Sequence, residues 1–169
     1  NGWTEMVDRL LDAGADIAAR EPSEGATPVM VAIVKNELET FERLLERGAD
    51  LEARDDKGHT VLLHTAMNGD PAFLDVALAR GADLNVRSDF REPALHVALV
   101  PEQEDMALRL IAAGADAHAR DRVLWTPMHY AVRDGWLRIV AALRDAGASI
   151  HIPKADGWTP LHLAAHNDR

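Results

Sequence analysis

Thr126-Pro127-Met128-His129-Tyr130-Ala131-Val132 is followed, 33 residues on, by Thr159-Pro160-Leu161-His162-Leu163-Ala164-Ala165 (159 − 126 = 33). A threonine can cap a helix, and a proline in the first turn forfeits no hydrogen bond, so each stretch reads as a helix start. Outward from this pair the same opening recurs at Thr27-Pro28, Thr60-Val61 and Pro93-Ala94, always in steps of 33. A second landmark keeps the register. Gly-Ala falls at Gly14, Gly48, Gly81, Gly114 and Gly147, in steps of 34, 33, 33 and 33. Two independent series locked together mark an internal repeat across the chain.

Residues 121–150 show what one repeat contains. The spacing predicts a short helix from Pro127 to Asp134 with Met128, Ala131 and Val132 inward. Gly135 breaks it. A second helix follows from Leu137 to Ala146, with Ile139, Val140 and Leu143 on one face, and Gly147 ends it. A polar stretch then leads to the next opening. No such unit can bury its apolar face alone, so neighbours must stack.

In this frame the stretches Thr126–Val132 and Asp156-Gly-Trp-Thr-Pro-Leu-His-Leu-Ala-Ala resemble ankyrin repeats. The resemblance implies an all-α fold, an α-rich solenoid of helix-turn-helix units with β-hairpin-like fingers. It divides a single repeat domain, 1–169, into a half-repeat (1–21), repeats 22–54, 55–87, 88–120 and 121–153, and a half-repeat (154–169). Both ends fall between the two helices of a repeat, as expected of a segment from a longer array.

Composition bounds the function. The 169 residues carry 18 basic and 28 acidic side chains, a net charge of -10. That balance disfavours nucleic acid and anionic membranes. There is no cysteine, which removes thiol catalysis and Cys-based zinc sites. The longest apolar run, Val29–Val34, is far too short to span a bilayer. Aromatics are scarce, so the core is expected to be Leu, Val, Ile and Ala. No nucleophile-elbow, phosphate-loop or HExxH motif is present. The chain therefore reads as non-catalytic, with no cofactor and no metal, cytoplasmic with a periplasmic or secreted location as the alternative, and monomeric unless its ends self-associate.

The histidines divide into columns. His96, His129 and His162 are 33 apart, at the place of the structural histidine that the resemblance implies bonds to neighbouring backbone. Stacked helices lie roughly 8–10 Å apart, too far for such a column to share one zinc. His59, His64 and His166 read as scattered, with no site. Arg20, Arg54, Arg87 and Arg120, preceded by Asp16, Asp50, Asp83 and Asp116, read as a ladder of exposed ion pairs, with an anion-binding stripe as the sharper alternative. Asn85 stands where the family sometimes presents an asparagine for hydroxylation.

Some positions depart from the pattern. Pro93 removes a threonine cap, Pro101-Glu102 occupies an interhelical turn, and Arg91 and Leu124 replace the finger-tip glycine kept at Gly25, Gly58 and Gly157. Those two fingers cannot use the same left-handed tip cheaply.

The resemblance places partner binding on a concave face of finger tips and first helices. There the candidates are Phe90, Glu92, Arg122, Val123, Trp125 and Trp158 on fingers, and Met67, Val100 and Arg133 on helices. The same face includes Lys57, His59, Val34 and Asn68. Trp3 and Trp136 read as packing on the opposite side, and Tyr130 as core. The function implied is binding another protein, as inhibitor or scaffold; the alternative is a passive spacer array.

Overall fold

The computed structural model describes residues 2–100 and 103–166. Pro101 and Glu102, the interhelical departure noted above, lie outside them. Ten α-helices occur among the described residues, with no strand and one isolated bridge, Arg87 to Pro93. The chain divides into two compact units, residues 1–83 and 84–169.

The first unit holds α1 (Gly2–Asp12), α2 (Pro28–Val34), α3 (Leu38–Glu46), α4 (Val61–Asn68) and α5 (Pro71–Ala79). Helices α2/α3 and α4/α5 form antiparallel pairs, α2 stacks on α4, and α1, α3 and α5 stack in a row. Its core is Met30, Ile33, Leu44, Leu62, Leu63 and Leu74, with Phe41 and Phe73 meeting at 5.3 Å between ring centroids. Asp70 caps α5, accepting from the Ala72 N–H at 2.9 Å, with Pro71 at the first helical position.

The second unit holds α6 (Ala94–Ala98), α7 (Glu104–Ala112), α8 (Pro127–Arg133), α9 (Leu137–Asp145) and α10 (Pro160–His166). Here α6/α7 and α8/α9 pair, α8 stacks on α10, and α7 on α9. Leu95, Leu99, Met106, Leu110, Met128, Ile139 and Leu143 fill the core. The predicted helices at 127–134 and 137–146 are present, one residue shorter each. Helix α6 is the shortest, five residues, and ends at Ala98.

Two packing expectations need correction. Trp3 is 70% exposed on α1 rather than packed. Tyr130 is only half-buried, because its hydroxyl leaves the core to donate to Asp121 Oδ2 at 2.7 Å.

Candidate functional site

Four of the fingers are five-residue turns, each tied off by its first residue. The first N–H donates to the fifth carbonyl: Asp55 to His59 (3.0 Å), Ser88 to Glu92 (3.1 Å), Asp121 to Trp125 (3.1 Å) and Lys154 to Trp158 (2.8 Å). The fourth residue is left-handed in all of them. Gly58 and Gly157 do this freely, while Arg91 (φ 62°) and Leu124 (φ 64°) do it too, at the steric cost an L-residue carries there. The turn's hydrogen bonds dictate the backbone, and the side chain accepts the strain.

The first side chain also gathers the turn's inner N–H groups. Asp121 Oδ1 accepts from Val123 N and Trp125 N, Ser88 Oγ from Phe90 N and Glu92 N, and Asp55 Oδ1 from Lys57 N and His59 N. The finger at Glu21–Ala26 has one more residue and carries Glu in place of Asp, so the longer side chain spans the longer turn. Its carboxylate accepts from Ser23, Glu24 and Ala26, and the Ser23 hydrogen bonds lead in lowering its pKa to about 2.

The histidine column links finger to finger. Thr126 N–H donates to His129 Nδ1 (3.1 Å), which makes that nitrogen an acceptor and places the proton on Nε2. Nε2 then donates to the Trp158 carbonyl at 3.3 Å. His96 Nε2 reaches the Trp125 carbonyl in the same way, at 3.0 Å. Because Pro93 has neither N–H nor hydroxyl, His96 Nδ1 is buried without a partner. The arginine column bonds main chain as well as carboxylate, and Arg20 pairs with the exposed Asp56 at 2.6 Å. Arg20 donates to the Arg54 carbonyl (2.8 Å), Arg87 to that of Arg120 (2.8 Å) and Arg120 to that of Pro153 (2.9 Å). Asp16, Asp50 and Asp116 instead accept from the N–H two residues ahead. Asn85 Oδ1 accepts from Asp116 N at 3.3 Å.

In the second unit the structure brings several of the nine candidate binding residues together. Trp125 lies 5.0 Å from the Tyr130 ring, and the Arg133 guanidinium covers both, at 5.4 and 5.0 Å. Lys154 sits against both Trp125 (5.7 Å) and Trp158 (5.4 Å) and joins them into one stack. Both tryptophans are half-buried in it. In the same unit Phe90 (47% exposed), Val123 (49%) and Val100 (41%) stand free of the core, and Arg122 is exposed. Phe90 and Val123 hold the same third position of consecutive fingers. Glu92 is half-buried at the close of its turn. Lys154, which joins the tryptophans, has no sequence signal beyond its place at the head of a finger. Burial first, and then the bond to Asp121, raises the Tyr130 hydroxyl well above its ordinary value.

The ninth candidate, Met67, belongs to the first unit. It lines a cavity of about 310 Å³ with Glu24, Val34, Asp55, Lys57, His59, His64 and Asn68. His59 and His64 are not scattered, as the sequence suggested, but converge on one carboxylate oxygen. Asp55 Oδ2 lies 3.2 Å from His59 Nδ1 and 3.1 Å from His64 Nε2, and all three residues are buried. Burial would raise the Asp55 carboxyl, but the His59 and Lys57 N–H groups and the two imidazoles together hold it below the usual carboxylate range. Burial lowers the His64 imidazole below its ordinary value against the pull of Asp55.

A family model described as ankyrin repeats matches the chain in three copies, over residues 1–55, 35–121 and 102–169. Among curated proteins, none matches the chain.

Proposed function

Since the chain belongs to the ankyrin-repeat family, whose members are generally protein–protein interaction modules and typically non-catalytic, we propose that it holds a partner protein on its finger tips and first helices, as inhibitor or scaffold. The observation that carries this reading is the apolar group in the second unit. Phe90, Val123 and Val100 are exposed in the unit that also holds the stack of Trp125, Tyr130, Arg133, Lys154 and Trp158. Exposed apolar groups together with a fixed aromatic and arginine anchor have the composition in which interface energy concentrates. The anchor is also preorganised: its side chains are already held, so little rotamer freedom remains to be lost on binding. No described helix is long and apolar enough to cross a membrane.

The test uses residues whose removal spares the fold. Phe90→Asp and Val123→Asp change solvent-facing side chains, and Leu137→Asp on α9 does the same at 80% exposure on a second helix. A partner captured by the wild-type chain should be lost from the Phe90→Asp/Val123→Asp variant and kept by Leu137→Asp. The reverse pattern would move the interface to the second helices. Recovery indifferent to all three would favour a passive array.

A further inference from the structure

We infer that Asp55, His59 and His64 form a binding site for one divalent transition-metal ion of the zinc class, at the floor of the first unit's cavity. One ligand atom from each residue lies within 4.8 Å of the other two. A tetrahedral ion bound at about 2.0–2.1 Å sets neighbouring ligand atoms about 3.3 Å apart. Asp55 Oδ2 already stands 3.2 Å from His59 Nδ1 and 3.1 Å from His64 Nε2. Two nitrogens and one carboxylate oxygen suit zinc, cobalt, nickel or copper and not the all-oxygen shells of magnesium or calcium. The three side chains are only 2–10% exposed, so the donors are held by packing. All three line the cavity, which is also lined by Glu24, paired with Lys57 at 2.6 Å. Asp55 and Glu24 against Lys57 leave one net negative charge beside a dication.

The fold does not need this trio. Asp121 is the counterpart of Asp55 two motifs further on, 66 residues away. There the residue matching His59 is Trp125 and the one matching His64 is Tyr130, which alone donates to Oδ2. In the intervening finger Ser88 closes the turn, with Glu92 and Val97 at the matching positions. A finger therefore closes with one such side-chain donor or none. Among the described residues, only at Asp55 do two imidazole nitrogens meet on one oxygen. Metal entry requires each imidazole proton to move to its other ring nitrogen, His59 to Nε2 and His64 to Nδ1, with no net gain or loss of protons.

The comparison between motifs also supplies the variant. His64→Tyr keeps a hydroxyl donor for Asp55, as Tyr130 does for Asp121, and removes one ligand. His59→Trp/His64→Tyr converts the whole site to the arrangement at residues 121–130. Zinc chloride titrated into the full chain by calorimetry at neutral pH should give one saturable ion. His64→Tyr should weaken it at least about tenfold, and the double variant should abolish it. Cobalt(II) should give visible d–d bands with wild type and none with the double variant. In wild type, where no variant is involved, zinc should shift the imidazole NMR signals of His59 and His64. Zinc uptake unchanged by His64→Tyr, with shifts at exposed His118, His151 or His166 alone, would overturn the site. So would failure of wild type to bind zinc more tightly than the double variant.

Discussion

Arg91 and Leu124 show how a repeated backbone can prevail over a single residue. Each sits left-handed where the other fingers place glycine, and left-handed geometry costs an L-residue roughly 1–2 kcal/mol. Glycine gives back about 0.5–1 kcal/mol through unfolded-chain entropy. Leu124→Gly and Arg91→Gly should therefore each stabilise the second unit by about 0.5–1 kcal/mol, read from the urea midpoint. Gly25→Ala should act in the opposite direction, because its φ is 70° and a Cβ there strikes the Arg20 and Asp56 side chains, which pair at 2.6 Å. The tips were legible as exceptions in the sequence. Their conformation was not, because side-chain preference says nothing of the turn hydrogen bonds that enforce it.

Among elements, α6 carries the clearest defect. Pro93 starts the helix with neither the N–H nor the hydroxyl that Thr126 gives His129, and His96 Nδ1 is left buried without a partner. An unsatisfied buried polar atom costs about 1–3 kcal/mol, less what proline contributes by stiffening the unfolded chain. Pro93→Thr should raise stability by about 1 kcal/mol in chemical denaturation, and a loss of stability would show that the threonine does not reach His96. Helix positions and pairing were readable because the 33-residue period repeats the same apolar spacing five times. The Asp55–His59–His64 cluster was not. Its members lie at the two ends of a finger and on the following helix, and columns 33 apart never compare such positions with one another. The pattern that could have exposed it is the recurrence of Asp55 and His64 as Asp121 and Tyr130, both steps of 66. The binding candidates were legible as surface, but the stack that orders Trp125 and Trp158 was not, since it depends on where the Lys154 ammonium is placed.

Across the whole chain, two responses follow from how protection and charge are distributed. Helix α1 buries only Thr4, and α10 only Pro160 and Leu163, whereas α4 buries six of its eight residues. Amide exchange should be faster in 2–12 and 160–166 than in 61–79 and 104–145. Uniform protection at concentrations where the chain is monomeric would contradict this. The pH response comes from His64, His96 and His129, which burial holds below their ordinary 6.5. The unfolded chain takes up these protons first as pH falls, so it binds more protons than the folded state below 6.5. Stability is then full well above 6.5 and declines as pH drops from about 7 toward 5, and a flat or rising melting temperature over that interval would refute it. Glu21, held at about 2 against an ordinary 4.5, adds a separate loss only below that higher value. The arginine column has a different kind of consequence. Arg20, Arg87 and Arg120 each grip a main-chain carbonyl on the next finger, and at the last of these the carbonyl is that of a proline. What a neighbour must offer is thus common to all twenty amino acids. Units joined this way can be duplicated, deleted or transplanted by recombination without a matching change next door, which leaves the tips free to diverge.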